Sequence, residues 1–210
     1  MYLNKTLVIF DFDGTLLNSI SGAYRGTCSV FEREGLNTPS FEEFSLGFKP
    51  PYLDFYRVRG VQAAESDIYD QYHSIAHHEE AVLFPDTEEV IKKLYAHGCL
   101  MAVVSSQRQK VLDMHCNGVL REFFTHVIGD VEYKAPVIKS LVKRLGCRPQ
   151  DVFYVGDFVS DVSAALEAKV VPVGITRGFP ARQSLVEAGA KFCIDRLEEL
   201  VPIVIQSQPA

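Results

Sequence analysis

Four short apolar runs constrain the fold of this 210-residue chain more than any other feature of its sequence. The runs cover residues 6–10, 100–104, 152–155 and 170–173, and residues 126–129 form a weaker fifth candidate. Because the runs are continuously apolar and rich in β-branched residues, they are typical of strands buried on both faces. Helical patterns separate the later runs, which predicts an α/β fold with a doubly wound parallel sheet. Pro172 predicts that the last of these strands lies at a sheet edge.

The helices between these strands have recognisable ends. Asp86 is predicted to cap a helix that ends at Gly98, with Glu89 in the reciprocal position of a capping box. A second helix is predicted over residues 135–145. Residues 195–198 repeat the capping pattern and predict a helix near the C-terminus.

Residues 16–83 interrupt the alternation of strands and helices. They contain no clear buried strand, but they carry aromatic residues at helical spacings, namely Phe31, Phe41, Phe44, Phe55 and Tyr56. This pattern predicts a mostly helical insert directly after the first strand, with a small aromatic core of its own.

Composition and charge limit the functions that the protein can have. The net charge is −6 and the basic residues form no run or stripe, so we expect no nucleic acid partner. The five cysteines are scattered and include no CxxC pair, which indicates reduced thiols. The apolar run before Asp11 is too short for a signal peptide or a membrane span, so we expect a cytoplasmic protein that does not bind membranes. The sequence does not indicate an oligomeric state.

The segment Asp11-Phe12-Asp13-Gly14-Thr15 directly follows the first predicted strand. Two carboxylates at this spacing can project to one side of the strand end, where open α/β sheets bind their ligands. So close a pair stays ionised only when a cation compensates its charge, which favours a hard metal ion such as Mg²⁺. The Gly-Thr pair permits a tight turn whose N–H groups can face an anion. Taken alone, an Asp-x-Asp pair is more often a capping loop.

Further polar residues follow the other predicted strands. Ser105 and Ser106 follow the run at 100–104, Lys134 lies between a strand and a helix, and Asp157 and Asp161 follow the run at 152–155. Each has an ordinary structural explanation, such as an acid at a helix N-terminus. Because the carboxyl ends of parallel strands lie at one edge of the sheet, we expect these side chains to converge on one crevice.

This set of motifs resembles the haloacid dehalogenase superfamily of phosphohydrolases. The resemblance covers residues 6–11 and the chain from about residue 85, and the Asp-x-Asp-Gly-Thr and Gly-Asp-x-x-x-Asp elements are specific in combination. It implies a Rossmann-like catalytic core of residues 1–15 and 84–210, with residues 16–83 as a small helical cap. The layout is similar to that of phosphoglycolate-phosphatase-like members.

The resemblance also implies a role for each site residue. Asp11 would be the nucleophile that forms an aspartyl-phosphate, and Asp13 would act as general acid and then as general base. Ser105, together with Ser106, and Lys134 would bind the phosphoryl group. The implied reaction is the hydrolysis of a small phosphorylated metabolite.

The cofactor that the resemblance implies is Mg²⁺. Asp11, the backbone carbonyl of Asp13, and Asp157 would be its protein ligands, with Asp161 in support.

The sequence departs from the family pattern at two places. The usual Lys-Pro pair is replaced by Lys134-Ala135-Pro136, and Asn18 stands where an acid is common.

Other polar residues invite a functional interpretation. Lys49 lies in a Gly- and Pro-marked loop of the insert and is a candidate for substrate specificity, although a solvated lysine is equally expected. His73, His77 and His78 have a spacing that could hold zinc, but no third ligand and no HExxH pattern accompany them. We expect these histidines to lie on a solvated face.

Alternatives to a phosphomonoesterase remain open at this point. A pyrophosphatase or nucleotidase of the same family would use the same catalytic set, and a sugar-phosphate mutase differs in its acceptor. A receiver-like phospho-switch also combines acids, a hydroxyl, a lysine and Mg²⁺ on a doubly wound sheet. In such a domain, however, the phosphorylated aspartate follows a later strand and no large insert follows the first.

Overall fold

The computed structural model describes residues 5–48, 51–76, 81–116, 120–177 and 182–207. The chain divides into two compact units, of which one comprises residues 1–17 and 83–210 and the other residues 18–82. In chain order the strands are β1 (Leu7–Phe10), β2 (Leu17–Asn18), β3 (Val82–Leu83), β4 (Leu100–Val104), β5 (His126–Ile128), β6 (Val152–Gly156), β7 (Val171–Ile175) and β8 (Phe192–Ile194).

The α-helices of the described residues belong to both units. In chain order they are α1 (Ile20–Arg33), α2 (Phe41–Gly47), α3 (Tyr52–Arg57), α4 (Glu65–Ala76), α5 (Thr87–Ala96), α6 (Gln109–Cys116), α7 (Lys134–Leu145), α8 (Val159–Glu167), α9 (Arg182–Glu187) and α10 (Leu200–Gln206). None of the described helices is long and apolar enough to cross a membrane.

The larger unit is built on a six-stranded sheet with the order β5-β4-β1-β6-β7-β8, in which neighbouring strands are parallel. This confirms the predicted α/β fold with a parallel, doubly wound sheet. The chain runs outward from β1 through β4 to β5, and then returns to the other side of β1 for β6, β7 and β8. The carboxyl end of β1 therefore lies at the topological switch point, where open sheets form their ligand crevice.

The predicted edge position of the strand that contains Pro172 is wrong. Strand β7 lies between β6 and β8, and β8 is a three-residue strand without the continuous apolar run that marks the others. The Pro172 carbonyl accepts from the N–H of Lys191 (3.0 Å), which immediately precedes β8. Pro172 therefore lies beside the chain just before β8. Its missing N–H leaves no carbonyl of β8 without a hydrogen-bond donor.

Helix ends follow the glycine signals but not the capping box at Asp86. Gly98 and Gly146 follow α5 and α7 with φ of 75° and 63°, a left-handed conformation that glycine adopts without strain. The Asp86 side chain makes no cap hydrogen bond to α5. Its carboxylate instead pairs with Arg177 and accepts from the N–H of Leu197 (2.8 Å). A tertiary contact has replaced the local one.

The smaller unit is helical, and aromatic rings fill its interior. Phe44 and Phe48 have ring centroids 4.9 Å apart, and Phe31 stacks on Tyr56 at 5.8 Å. Helices α1 and α4 pack closely because α1 presents Gly26 where a Cβ atom would lie 2.8 Å from the Tyr72 carbonyl oxygen. Glycine is therefore required at this crossing.

Candidate active site

The acidic motif after β1 forms a tight turn at the carboxyl edge of the sheet. The N–H of Asp11 donates to the Val155 carbonyl (2.8 Å) and so continues the β1–β6 ladder by one residue. The N–H groups of Leu16 and Leu17 return to the Phe12 carbonyl, and Gly14 has a φ of 69°. Asp11 is 4% exposed, so the turn places its carboxylate inside the protein.

Lys134 is the cation that faces Asp11. Its Nζ lies 3.0 Å from Asp11 Oδ1 and 2.6 Å from Asp161 Oδ1, and the lysine side chain is only 12% exposed. Lys134 is the first residue of α7, an end of the helix where the dipole disfavours a cation, so the two carboxylates must compensate. The Ala135 insertion before Pro136 does not move this lysine away from the site.

The charge states at this site are strongly perturbed. Burial raises the pKa of Asp11 to about 6, although Lys134 opposes the shift. Burial alone would lower the pKa of Lys134, but Asp11 and Asp161 outweigh it and raise that pKa well above its usual value. The lysine is therefore a permanent cation within a group of acids.

Asp157 is fully buried directly beneath the acidic turn. Its Oδ1 is 3.5 Å from the Thr15 hydroxyl, and its Oδ2 has no hydrogen-bond partner among the described residues. A Cβ atom at Gly14 would overlap with this carboxylate, so only glycine lets the turn approach it. Burial, and then the charges of Asp161 and Asp11, raise the pKa of Asp157 well above its usual value.

One carboxylate oxygen each from Asp11, Asp157 and Asp161 lies within 4.8 Å of the others. These are hard oxygen donors around a buried oxygen of Asp157 that lacks a partner, and Lys134 is the one cation described within the cluster. Such a set fits Mg²⁺, which binds proteins through a few carboxylates and keeps several waters. Asp161 has the least free capacity, because it also accepts from the Phe158 N–H (2.9 Å) and the Tyr154 hydroxyl (3.3 Å). These contacts suit Asp161 to a supporting position beside the metal ligands.

The two serines differ in their environment. Ser105 is 1% exposed, and a hydrogen bond from its side chain is among the influences that lower the pKa of Asp11. Its backbone is fixed between the Ile128 carbonyl and the Val131 N–H, at 3.0 and 3.1 Å. Ser106 is exposed. The structure therefore brings Ser105, but not the Ser106 side chain, into the buried cluster.

Two residues at the site carry no signal in the sequence that singles them out. Gln107 donates through Nε2 to Asp13 Oδ2 (2.8 Å). Neither its residue type nor its spacing in the sequence distinguishes it from other glutamines in loops. Arg177, after β7, donates to the Thr15 carbonyl from two of its nitrogens and pairs with Asp86. Both residues come from segments that follow strands, which is the only hint the sequence offers.

The remaining candidates all belong to the insert. Lys49, His77 and His78 are outside the described residues. His73 lies on α4, where its ring contacts the rings of Tyr69 and Tyr72 at centroid distances of 4.1 and 5.0 Å.

Known proteins with similar sequences and folds cover nearly the whole chain. A phosphoglycolate phosphatase of Synechococcus elongatus is 28% identical and aligns with 95% of this chain and 97% of its own length. The pyrophosphatase PpaX of Listeria innocua is 25% identical, with 95% and 96% covered. A haloacid dehalogenase-like family hydrolase from Streptococcus pneumoniae has the same fold, with a TM-score of 0.82 at 22% identity over 95% of this chain and 98% of that one.

The family model described as haloacid dehalogenase-like hydrolase matches residues 8–175. This range contains β1 from Val8 onward with its acidic turn, Lys134 and the acids after β6, which are elements that carry the resemblance. The chain therefore belongs to the haloacid dehalogenase-like hydrolase family.

Proposed function

We propose that this protein is a Mg²⁺-dependent phosphatase that hydrolyses a small phosphomonoester through an aspartyl-phosphate on Asp11. The observation that carries the proposal is the buried Asp11 carboxylate at the switch point of the sheet, 3.0 Å from Lys134 and within a cluster of acids that requires a cation. The relatives that are named as phosphatases support the same reaction class.

In the first half of the reaction, an oxygen of Asp11 attacks phosphorus and the bond from phosphorus to the leaving oxygen breaks. Asp13 gives its proton to that oxygen. Lys134 and the Ser105 hydroxyl face the transferring group and stabilise the charge on its oxygens. Bound to Asp11, Asp157 and the Asp13 carbonyl, Mg²⁺ would supply further neutralisation of that charge.

In the second half, a water molecule attacks phosphorus, and Asp13 accepts a proton from it. The bond between phosphorus and the Asp11 oxygen breaks, which restores the carboxylate and releases phosphate. A general acid–base of this kind contributes about 10²–10⁴ in rate. The burial of Asp11 protects the acyl phosphate from other water molecules.

The substrate is proposed to be a small phosphomonoester of the phosphoglycolate type, by analogy with the Synechococcus relative. Pyrophosphate is the second candidate, because the Listeria relative of similar identity is a pyrophosphatase. A magnesium-containing screen of phosphorylated metabolites, with pyrophosphate and nucleoside monophosphates included, decides between them.

The nucleophile is tested with Asp11→Asn. An amide cannot form the covalent intermediate, so turnover should fall by orders of magnitude while the protein stays folded. Phosphate release from p-nitrophenyl phosphate measures activity, and thermal melting verifies the fold. Asp113→Asn, at an aspartate on α6 that accepts from Gln109 (2.8 Å), is the matched control and should retain activity. Turnover above about a tenth of wild type in Asp11→Asn would remove this residue from the nucleophile's role, since the loss of a covalent route should raise the barrier by more than ~1.4 kcal/mol.

A further inference from the structure

We propose, on the basis of the phosphatase function above, that Gln107 is a positioning residue that orients the Asp13 carboxyl group for proton transfer. Gln107 is 7% exposed and follows β4 in the same loop as Ser105. Its Nε2 donates to Asp13 Oδ2 at 2.8 Å.

The orientation of the Gln107 amide is fixed by its other end. Oε1 accepts from the N–H of Arg108 at 2.9 Å. If the amide were reversed, its oxygen would face the Asp13 carboxylate and its NH₂ group would face a backbone donor. Only one orientation satisfies both ends, and that orientation directs an N–H at Asp13.

The backbone of Gln107 is held independently of Asp13. Its N–H donates to Ser105 Oγ (3.3 Å), and its carbonyl accepts from the Asp130 N–H (2.8 Å). Gly129 permits the close approach, because a Cβ atom there would lie 2.7 Å from the Gln107 carbonyl oxygen. The loop is therefore a rigid support from which the amide reaches Asp13.

The chemical consequence concerns how the Asp13 carboxyl group is placed when it transfers its proton. The hydrogen bond from Gln107 to Oδ2 fixes the plane in which the Asp13 carboxyl group lies. During attack by Asp11 on phosphorus, the bond from phosphorus to the leaving oxygen breaks and the proton of Asp13 moves to that oxygen. Without the amide the carboxyl group can rotate, and the fraction of molecules with the acid correctly placed falls.

A series of para-substituted phenyl phosphates separates this role from a structural one. The substrates, from 4-nitrophenyl to 4-methoxyphenyl phosphate, are similar in size and differ in the basicity of the leaving oxygen. A weakly basic leaving group departs without a proton, whereas a more basic one requires the acid. The value of kcat/KM reports the steps up to phosphoryl transfer, which makes it the appropriate readout.

We expect Gln107→Met to reduce kcat/KM about ten- to a hundredfold for 4-methoxyphenyl phosphate and less than about threefold for 4-nitrophenyl phosphate. The slope of log kcat/KM against leaving-group pKa should therefore become steeper than in wild type. The matched control is Gln109→Met, because Gln109 Oε1 supports the same loop by accepting from the Gly129 N–H (2.7 Å), whereas its Nε2 donates to Asp113 (2.8 Å) rather than to an acid of the active site. It should lower the whole series by one common factor.

Gln107→Glu is the second variant. It is used for the same test if thermal melting shows that Gln107→Met does not unfold cooperatively. The glutamate keeps the acceptor for the Arg108 N–H but places an oxygen against Asp13, so its slope should also be steeper than that of wild type. A parallel decrease across the series in the Gln107 variants, or no decrease, would overturn the positioning role. Absence of wild-type turnover on every substrate would instead overturn the proposed function, and the inference with it.

Discussion

At the scale of single residues, Asp157 shows that the site is not arranged for the stability of the metal-free protein. A fully buried carboxylate whose Oδ2 has no described partner is costly to ionise, and the neighbouring acids increase that cost. Because the pKa of Asp157 is raised, ionisation of this group weakens the folded state as the pH rises. A bound cation would remove this penalty.

We therefore expect Asp157→Asn to raise the melting temperature in chelator at pH 8, by several degrees, since an amide of the same size lacks the raised pKa that makes this buried carboxyl group costly at that pH. We also expect Mg²⁺ to stabilise wild type and this stabilisation to be lost in the variant. Differential scanning calorimetry with and without Mg²⁺ measures both effects. An unchanged Mg²⁺-induced shift in the variant would exclude Asp157 from the metal site.

The residues that were predicted and those that were not differ in a physical way. Asp11 and Asp157 could be predicted to lie close together because each follows an apolar run, whereas Lys134 was predicted from its place between a strand and a helix and from the family motif. Gln107 could not be predicted, because its importance depends on which atom it reaches, and a neutral amide leaves no mark in composition or periodicity.

At the scale of elements, the loop after β7 holds together two segments of the larger unit, the turn after β1 and the segment before α5. Arg177 donates to the Thr15 carbonyl, pairs with Asp86 at 2.5 Å, and lies over the Phe84 ring at 4.0 Å. The Leu16 carbonyl in turn accepts from the Phe84 N–H (2.9 Å) and the Thr87 hydroxyl (3.1 Å). The outgoing and incoming segments of the larger unit are thus joined both by these bonds to the Leu16 carbonyl and by the Arg177 guanidinium.

Replacing this guanidinium should be more costly than removing an ordinary surface pair. Arg177→Met keeps the stem over Phe84 but loses the bonds to Thr15 and Asp86, and we expect the free energy of unfolding to fall by about 2–4 kcal/mol. The control is Arg182→Met, which breaks an exposed ion pair with Asp195. It should change the free energy of unfolding by less than about 1 kcal/mol. Urea denaturation measures both. Equal losses would show that the contact at Thr15 adds nothing.

The secondary-structure elements also show where predictions from the local sequence succeeded and where they failed. The end of α5 at Gly98 was predicted correctly, because a left-handed glycine depends only on the local backbone. The capping box at its start was wrong, because Asp86 finds a stronger partner in Arg177 from a distant loop. Strand β8 was missed, since three residues at a sheet edge need no continuous apolar run.

At the scale of the whole molecule, the residues proposed for catalysis would all act on groups that every phosphate ester shares. Selection among substrates therefore requires other residues, and Lys49 of the helical insert stays the predicted candidate, since an ammonium suits a carboxylate or a second phosphate. Its position lies outside the described residues, so the prediction depends on the sequence alone.

If Lys49 holds a second anionic group throughout the reaction, Lys49→Ala should raise KM with little change in kcat. A hydrogen bond to a charged group contributes roughly 1.5–3 kcal/mol, so kcat/KM for the substrate identified by the screen should fall by one to two decades. Aryl phosphates without a second anion should be unaffected. Steady-state kinetics on both substrates provide the measurement, and an equal loss on both would rule out a specificity role.

The order of strands has a consequence for how the protein forms during synthesis. Strand β1 is central in the sheet, yet its neighbours β4 and β6 are encoded far downstream, with Val103 and Val155 opposite Phe10. While the ribosome makes the intervening residues, β1 remains an unpaired apolar segment. The helices of residues 18–82 make contacts that are local by comparison, and they are complete before β4 emerges. We therefore expect the helical unit to fold first and the acidic cluster to assemble last, because slow, long-range pairing of parallel strands must precede it.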